Sequence, residues 1–477
     1  MTAIPRAPLA SLILSLAVTA VAPSAMAADT TETWRYSFGT ISTDGHYPAF
    51  NNMILASDGN YYGTTSSGGT NNYGSIFRMT PDGKLTTVHS FVGGAEGCTP
   101  TGGLSLNGGG ALVGILSGCG AGGAGTIYRS SLNGTVVALH TFTSGTDGYN
   151  NTNCSGKAPI LRVSDGFFVG TNCYGGPFGY GTVWQLAPNG RFDMLHGFNL
   201  TWADGLYGTD IALDTDDSIV GVTYQGGVGG TGTLYKIDPK GVYTTLYNFT
   251  SQAHDGNQPQ GIAVGPDGGY YGVTYYGGYF NQGVVFQYLK GKYKVLHHIY
   301  NSVVREGGNP YVKPVIDAKG VIWGSTYNSG ALFRVTNKGA YSTIYVFGTG
   351  DGANPEGALT FAGSDIYATT RYGGTNNLGT AIRFAGTSNP PTVTLTATKA
   401  IVNPSDPVTI KWKGTGVNTC TASSNAGGWS GTQSASGTTV VTAPTNYGRY
   451  YYYIGCVTAS GNMNTSQLAE ITVVPAD

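Results

Sequence analysis

Charge is scarce in this 477-residue chain: Asp, Glu, Lys and Arg make up 10% of it, and the formal net charge at pH 7 is -1. A surface with so little net charge has no field that would attract nucleic acid or anionic lipid, so we expect neither as a partner. Long apolar runs are also missing, because no segment after the N-terminal region reaches about 18 apolar residues. We therefore expect no transmembrane segment.

Motifs of several common enzyme classes are absent as well. The sequence has no GxSxG nucleophile elbow, no P-loop, no histidine cluster and no GxGxxG motif that opens a helix. The six cysteines are too few and too scattered for a zinc site of the CxxC type. These absences predict a protein that needs neither a metal ion nor another cofactor.

The first 27 residues have the pattern of a secretory signal peptide. Arg6 supplies the positive start, residues 9–22 the apolar core, and Ala25-Met26-Ala27 the small-residue cleavage site. We therefore expect the mature protein to begin near Ala28 and to be secreted, periplasmic or at the cell surface. In such an oxidising compartment the six cysteines are expected to form three disulfides.

Glycine and tyrosine are abundant, with 77 and 33 residues, and they belong to an internal repeat. Each repeat has an apolar strand, a YGTT-like strand, a Gly-Gly loop, a GTxF-like strand and an LHSF-like strand. The repeat recurs roughly every 50 residues, which is the size of one propeller blade. The glycine of YGTT, or alanine in the last repeat, lies at Gly63, Gly114, Gly170, Gly221, Gly272, Gly324 and Ala368.

The two ends of the repeat region complement each other. The seventh repeat stops after Ala381–Phe384 without its fourth strand, and Trp34–Phe38 near the N-terminus has the pattern of a lone fourth strand. Pairing the two would close a ring and remove an exposed sheet edge. The sequence therefore predicts an all-β fold in which residues 28–387 form a seven-bladed β-propeller closed by the N-terminal strand.

This pattern resembles the bacterial GloVer repeat, named from Gloeobacter and Verrucomicrobia. The matching segments include Asp58–Thr65, Gly68-Gly69 and Gly74–Phe77, and the match recurs in every repeat over residues 32–386. The resemblance implies a propeller-like surface protein of a bacterium. It brings no catalytic residues.

The composition changes from about residue 390, where Pro390-Pro391 predicts a stiff linker. Several later segments alternate as half-buried strands do: Val393–Thr396, Val408–Trp412 and Ile471–Val474. Residues 390–477 resemble the Ig-like β-sandwich domains that are often appended to secreted bacterial proteins. The resemblance implies a disulfide between Cys420 and Cys456.

Loop lengths distinguish the two faces of the predicted ring. If the strands of a blade are called A to D from the channel outward, the D-to-A and B-to-C loops share one face and are long, whereas the turns on the other face are tight. Long loops on a rigid scaffold carry most binding sites, so we expect the site at the channel mouth on this face. Cysteines in the long loops of blades two and three predict two equivalent disulfides, Cys98–Cys119 and Cys154–Cys173.

An acid followed by glycine recurs in every D-to-A loop: Asp44, Glu96, Asp147, Asp204, Asp255, Glu306 and Asp351. Such an acid commonly caps a turn by accepting backbone N–H bonds, and a sevenfold fold needs seven such turns. A structural role is therefore one interpretation of the whole set. Catalysis needs an asymmetric group, so residues that break the repeat are the more informative candidates.

The sector between blades four and seven breaks the repeat most. Asp210 and Lys313 stand where other blades have glycine, and Arg371 replaces serine or tyrosine; they form local ion pairs or serve a ligand. With acids of the same sector they make the candidate catalytic set Asp204, Asp210, Asp255, Glu306, Lys313 and Arg371. Tyrosines either wedge between blades or offer apolar faces and hydroxyls to sugar rings. The candidate substrate-binding set is Tyr174, Trp202, Tyr224, Tyr275, Tyr276, Tyr327 and Tyr372.

Three functions fit these residues. The leading one is a secreted glycan-cleaving enzyme: a glycoside hydrolase needs two carboxylates about 5–9.5 Å apart, and a polysaccharide lyase needs a base, for which a tyrosine is one candidate, and a cation. The second is a non-catalytic glycan-binding or adhesive module, and the third is a structural element of the cell surface. The expected partner is a poly- or oligosaccharide, and we expect the protein to be a monomer.

Overall fold

The computed structural model describes residues 32–48, 52–149, 160–201, 204–252, 254–300, 306–328, 330–348, 350–385, 392–457 and 464–475. This described part is all-β, with 40 strands and one short 3-10 turn at Gly94–Glu96. Within it, no helix is long and apolar enough to cross a membrane. The predicted signal peptide, residues 1–27, and the linker at Pro390-Pro391 lie outside the described residues.

Seven antiparallel sheets, named here sheets one to seven, follow one another between residues 32 and 384 of the described chain. The strands up to the end of sheet one are β1 (Glu32–Ser37), β2 (Gly45–His46), β3 (Ile54–Leu55), β4 (Tyr61–Thr65), β5 (Ser67–Gly68), β6 (Ser75–Met79) and β7 (Leu85–Ser90). Sheets two and three contain β8 (Cys98–Pro100), β9 (Ser105–Leu106), β10 (Leu112–Gly118), β11 (Thr126–Ser130), β12 (Val136–Thr141), β13 (Leu161–Arg162), β14 (Phe168–Asn172), β15 (Thr182–Leu186) and β16 (Phe192–Gly197).

The later sheets repeat this order. Sheets four and five contain β17 (Gly205–Leu213), β18 (Ile219–Gly226), β19 (Thr233–Ile237), β20 (Tyr243–Asn248), β21 (Gly256–Val264), β22 (Tyr270–Gly277), β23 (Val284–Leu289) and β24 (Lys292–His298). Sheets six and seven contain β25 (Gly308–Pro310), β26 (Val315–Ile316), β27 (Ile322–Asn328), β28 (Ala331–Val335), β29 (Tyr341–Val346), β30 (Thr360–Ala362), β31 (Asp365–Thr370) and β32 (Thr380–Phe384).

The N-terminal strand completes sheet seven. β1 pairs antiparallel with β32, with Trp34 opposite Arg383 and Ser37 opposite Thr380, so the strand order is β1-β32-β31-β30. This is the position that the sequence predicts for the lone fourth strand. The pairing covers what would otherwise be the open outer edge of β32.

An apolar cluster lies between each pair of neighbouring sheets. Phe91 of the first sheet, for example, packs with Leu112 and Tyr128 of the second. The cluster that contains Tyr61 and Tyr367 joins sheet seven to sheet one. Each sheet therefore packs against the next, and the last packs against the first.

The repeated glycine of YGTT makes room for an aromatic ring on the neighbouring strand. Gly221 pairs with Tyr235, and a Cβ at Gly221 would lie 2.2 Å from that fully buried ring. The same clash would occur in five other sheets: Gly63 with Phe77, Gly114 with Tyr128, Gly170 with Trp184, Gly272 with Phe286 and Gly324 with Phe333. In sheet seven Ala368 takes the place of glycine, and its partner is Ile382 instead of an aromatic residue. The absence of the ring explains why alanine fits there.

We predict that Gly221→Ala destabilises the protein by about 1–3 kcal/mol, because the buried Tyr235 ring has little room to move. Gly350→Ala is the control, since a Cβ there would meet nothing within 4 Å. Denaturant unfolding measures both changes. Equal stabilities of the two variants would contradict the packing explanation.

The C-terminal strands form two further sheets. They are β33 (Thr392–Ala397), β34 (Ile401–Val402), β35 (Pro407–Thr415), β36 (Thr419–Ser424), β37 (Gly431–Ser434), β38 (Ser436–Thr442), β39 (Gly448–Val457) and β40 (Asn464–Val473). One sheet has the order β33-β35-β38, and the other continues from β40 through β39 and β36 to β37. Trp412, Trp429 and Ile471 belong to their shared apolar core.

The C-terminal strands also extend sheet six. The start of β40 pairs with β29, with Tyr341 opposite Ser466 and Ser342 opposite Thr465. Thr465 Oγ1 donates a hydrogen bond of 2.6 Å to the carbonyl of Tyr341. Sheet six and the C-terminal sheet thus form one continuous ten-stranded sheet. The outer edge of β29 is therefore covered at this point.

The disulfides agree with the predictions where the described residues test them. Cys98 is bonded to Cys119 and Cys420 to Cys456, so both predicted pairs are confirmed. Cys420 and Cys456 are direct partners on neighbouring strands of one sheet, whereas antibody domains have a disulfide between their two sheets. Cys173 is disulfide-bonded, but Cys154 lies outside the described residues, so the Cys154–Cys173 pair stays a prediction.

Candidate functional site

The repeated acids belong to a pair that recurs in all seven sheets. Each carboxylate contacts a His or Tyr side chain of the outer strand that precedes it, as follows: Tyr36–Asp44, His89–Glu96, His140–Asp147, His196–Asp204, Tyr247–Asp255, His297–Glu306 and Tyr345–Asp351. Each also accepts a backbone N–H of its own loop. The turn-capping interpretation of these acids is therefore confirmed.

Three members of the candidate catalytic set are such capping acids. Asp204, Asp255 and Glu306 are buried, and each serves the loop of its own sheet. Glu306 differs from the others because it also accepts a 2.7 Å hydrogen bond from Tyr453 and one from Ser466 of the C-terminal strands. A catalytic role for these three acids stays a prediction, and the contacts favour a structural one.

In six of the seven sheets a described residue with a left-handed backbone follows the capping acid by three positions. Tyr207, for example, has a φ of 60°, and its N–H donates a 2.9 Å bond to the carbonyl of Tyr180 in the preceding sheet. The described equivalents with φ near this value are Tyr47, Thr99, Gln258, Asn309 and Asn354. Two positions after Tyr207, Gln258 and Asn309 stand Thr209, Gln260 and Tyr311, which line one cleft.

Asp210 and Lys313, which break the repeat, form an ion pair with each other. Lys313 Nζ lies 3.6 Å from Asp210 Oδ1 and also donates a hydrogen bond to the carbonyl of Ile211. Asp210 is fully buried and accepts the N–H of Ile211 at 2.8 Å and that of Ile262 at 2.9 Å. These contacts join sheets four, five and six.

The glycine between the two charges permits this contact. A Cβ at Gly261 would lie 2.6 Å from the Cα of Lys313, so only glycine lets the two inner strands approach so closely. Burial raises the pKa of the Asp210 carboxyl to about 6, although Lys313 opposes that rise. The pair is thus a buried crosslink whose acid is partly protonated near pH 6.

This raised pKa predicts a pH-dependent stability term. The unfolded Asp has a pKa near 3.9, so between about pH 4 and 6 the folded protein binds more protons at this residue than the unfolded protein does. The free energy of unfolding therefore falls as the pH rises through this range. Relative to Asp210→Asn, the wild type should lose on the order of 2 kcal/mol between pH 4 and pH 7. Urea unfolding of both proteins at the two pH values measures this. A pH-independent difference would contradict the burial of an ionisable Asp210.

A second ion pair also has a buried acid and a partly exposed cation. Arg371 lies 3.4 Å from Glu356, whose side chain is buried, and its guanidinium lies 5.2 Å from the ring centre of Tyr372. Arg371 was among the predicted site residues, whereas Glu356 was not. Glu356 stands five residues after the capping acid Asp351, where sheets two and four have Thr101 and Thr209. This departure from the repeat could therefore have been recognised in the sequence.

Four of the predicted tyrosines line a cleft of about 530 Å³. Its described lining is Cys173, Tyr174, Tyr207, Thr209, Tyr224, Gln225, Gln260, Tyr275, Tyr276 and Tyr311. Four of these tyrosines were predicted, whereas Tyr207 and Tyr311 were not. Their positions become recognisable only when each loop is aligned on its capping acid. This lining of aromatic rings, hydroxyls and amides contains no charged side chain among the described residues.

The tyrosines contact one another across sheet boundaries. The ring centres of Tyr174 and Tyr207 are 5.4 Å apart, and those of Tyr275 and Tyr311 are 5.6 Å apart. Tyr327 continues the wall at 5.3 Å from Tyr311. Of the remaining predictions, Tyr372 lies beside Tyr47 and Arg371, and Trp202 lies outside the described residues.

Three hydroxyls of the cleft stay protonated at neutral pH. Burial, followed by the proximity of other tyrosines, raises the pKa values of Tyr207, Tyr224 and Tyr275 above the ordinary value of 10. For Tyr327 burial and then the nearby Glu356 have the same effect. These groups can donate and accept hydrogen bonds, but they are poor general bases.

A larger cleft of about 670 Å³ lies between the outer strands of sheets four to six and the C-terminal strands. Its described lining includes Lys294, Lys338 and Arg449, together with the acids Asp255 and Glu470. Arg449 and Glu470 form an ion pair at 3.5 Å. This cleft has mixed charge and shares no residue with the tyrosine cleft. Among the described residues, no group of three or more His, Cys, Asp or Glu could hold a metal ion.

Several solved structures resemble this chain distantly. A gluconolactonase from Xanthomonas campestris is 12% identical with a TM-score of 0.40, covering 74% of this chain and 100% of its own. A fungal alcohol oxidase of the AA5 family, in complex with copper, is 13% identical with a TM-score of 0.47, covering 93% and 100%. The calcium-binding protein regucalcin from Agrobacterium tumefaciens is 14% identical with a TM-score of 0.34, covering 72% and 95%. No activity is carried over from them.

The sequence itself gives a clearer result. No curated protein matches the chain. The model of the Gloeobacter/Verrucomicrobia repeat matches residues 21–159 and 155–382, which include all seven sheets and the tyrosine cleft. The chain therefore belongs to the Gloeobacter/Verrucomicrobia repeat family.

Proposed function

We propose that the seven sheets are the blades of a closed β-propeller over residues 28–387, and that residues 390–477 are an Ig-like β-sandwich. The pairing of β1 with β32 and the apolar cluster between sheets seven and one support the closed ring. Two sheets around the Trp412 and Trp429 core support the sandwich.

We further propose that the protein is exported by a bacterium and works in the periplasm, at the cell surface or outside the cell. The signal pattern of residues 1–27 supports this proposal. The disulfides Cys98–Cys119 and Cys420–Cys456 support it independently, because such bonds persist mainly in oxidising compartments.

The function that the geometry supports best is glycan recognition in the tyrosine cleft. The observation that carries this proposal is the lining of the cleft, in which six tyrosines surround the amides of Gln225 and Gln260. Aromatic faces pack on the CH-rich faces of sugar rings, and hydroxyls and amides bond to their OH rims. A cleft on the mouth face of a propeller is also a usual position for a ligand site.

Binding without cleavage is favoured by what the described lining contains. Hydrolysis needs two carboxylates about 5–9.5 Å apart around the scissile bond, and the described lining has no carboxylate. A lyase needs a base, and the raised pKa values of the tyrosines make them poor ones.

Glycan cleavage is the second candidate, and Asp210 is the observation in its favour. Its pKa of about 6 suits a general acid at neutral pH, and the neighbouring Thr209 lines the cleft. For cleavage the Asp210 carboxyl would have to leave its bonds to Ile211 and Ile262 and reach the ligand.

A polysaccharide panel tests the two candidates. The mature protein should be retarded in gels that contain a suitable glycan, while reducing ends and the absorbance of unsaturated uronic products stay flat. Production of either product, lost in Asp210→Asn but not in Asp44→Asn, would replace the binding proposal by cleavage. Retardation by no glycan at all would refute carbohydrate recognition.

A further inference from the structure

The ligand class of the tyrosine cleft depends on the charge of its described lining. The lining of the tyrosine cleft contains no ionised side chain, and the raised pKa values keep the hydroxyls of Tyr224 and Tyr275 neutral. An anionic ligand group that entered this cleft would lose hydration without meeting a charged partner in the described lining. Loss of hydration without a compensating partner is strongly unfavourable for a charged group.

Two cations of the described chain that break the repeat, Lys313 and Arg371, are already engaged in ion pairs. Lys313 holds Asp210 at 3.6 Å and the carbonyl of Ile211, and only 23% of its side chain is exposed. Arg371 holds Glu356 at 3.4 Å. A uronate or sulfate could recruit either cation only by breaking an ion pair whose acid is buried. Breaking such a pair by removing one partner is strongly destabilising.

The cleft has a volume of about 530 Å³, and its tyrosines come from four consecutive sheets, which suits a ligand of more than one sugar ring. Tyr174 follows β14 of sheet three, Tyr224 lies in sheet four, Tyr275 in sheet five and Tyr311 in sheet six. Rings contact each other at both ends of this set, at 5.4 Å from Tyr174 to Tyr207 and at 5.6 Å from Tyr275 to Tyr311. A monosaccharide would contact only part of it.

We infer that the cleft selects an uncharged oligosaccharide that spans several sugar rings, and that it excludes uronate-containing and sulfated glycans. This inference rests on the proposed function, since it names the ligand class of the same site. It follows from the uncharged lining, the engaged cations and the four-sheet span together. Binding should therefore be almost independent of ionic strength.

The test is isothermal titration calorimetry of the mature protein with two matched series. One contains neutral oligosaccharides of increasing length from glucan, mannan and xylan, and the other contains oligouronates and sulfated oligosaccharides. Each titration is made at about 50 mM and about 500 mM salt, because salt screens exposed charges strongly in this range. Gln225→Lys adds a free cation to the cleft, and Gln225→Met is its uncharged control.

The expected result is binding of a neutral series that strengthens with length and changes less than about twofold with salt. Gln225→Lys should gain affinity for oligouronates, whereas Gln225→Met should not. Tighter binding of anionic glycans to the wild type, weakened by salt, would overturn this inference and leave the proposed function standing. Equal affinity for a monosaccharide would overturn the multi-ring part, and binding of neither series would overturn both proposals.

Discussion

A protein that begins at Gly39 should unfold at a much lower temperature than one that begins at Thr31. The shorter protein lacks β1 and Phe38, and Phe38 is fully buried in the cluster between sheets seven and one. It also lacks the backbone ladder with β32 and the hydrogen bond from Tyr36 to Asp44. Loss of one buried Phe side chain alone costs about 3–5 kcal/mol, so the total should exceed that range.

Differential scanning calorimetry of the two proteins measures this effect. The protein that begins at Thr31 is the matched control, because it keeps every described residue of β1. If the shorter protein unfolded at the same temperature, the N-terminal strand would not close the ring, and the fold would have to be held by other contacts.

The second large effect is expected for Glu306→Ala. This carboxylate is fully buried and accepts hydrogen bonds from His297 at 3.1 Å, from the Tyr300 N–H at 2.7 Å and from Tyr453 at 2.7 Å. Removing it leaves these donors without their acceptor inside the protein. We expect a loss of about 3–5 kcal/mol and faster hydrogen exchange in β39 and β40.

Glu96→Ala is the control for Glu306→Ala. Glu96 caps the equivalent loop in the same way, but its side chain is 19% exposed, and none of its hydrogen bonds described here reaches the C-terminal strands. Glu96→Ala should lower the free energy of unfolding by about 1 kcal/mol and leave hydrogen exchange in β39 and β40 unchanged. Equal losses in the two variants would show that Glu306 has no special role in holding the C-terminal strands.

The sheets were predictable because the repeat encodes them locally. Acid before glycine and a tight turn on the other face recur in each unit, and glycine opposite an aromatic ring recurs in six of the seven, so strand positions can be recognised directly. The pairing of β1 with β32 was predictable for the same reason, since Trp34–Phe38 carries the pattern of a fourth strand.

Contacts between distant segments were not predictable in the same way. Nothing local in β29 indicates that Tyr341 will pair with Ser466, and Glu306 looks like the other six capping acids. Likewise, the ion pair of Asp210 with Lys313 depends on how closely sheets four and six approach across Gly261. The sequence indicated that both charges break the repeat, but not which partner each finds.

The role of the tyrosine cleft as the glycan site is tested by the affinity of Tyr275→Ala for the glycan that the wild type binds most tightly. Tyr275 lies at the centre of the wall, with Tyr276, Tyr311 and Tyr327 around it. The control is Tyr447→Ala, which removes an exposed tyrosine in the C-terminal strands. Calorimetric titration should show at least about tenfold weaker binding for Tyr275→Ala, which corresponds to about 1.4 kcal/mol. The affinity of Tyr447→Ala should be unchanged, and the two variants should have closely similar unfolding temperatures. Unchanged binding by Tyr275→Ala, with loss of binding in Tyr447→Ala, would contradict the assignment of the tyrosine cleft as the glycan site.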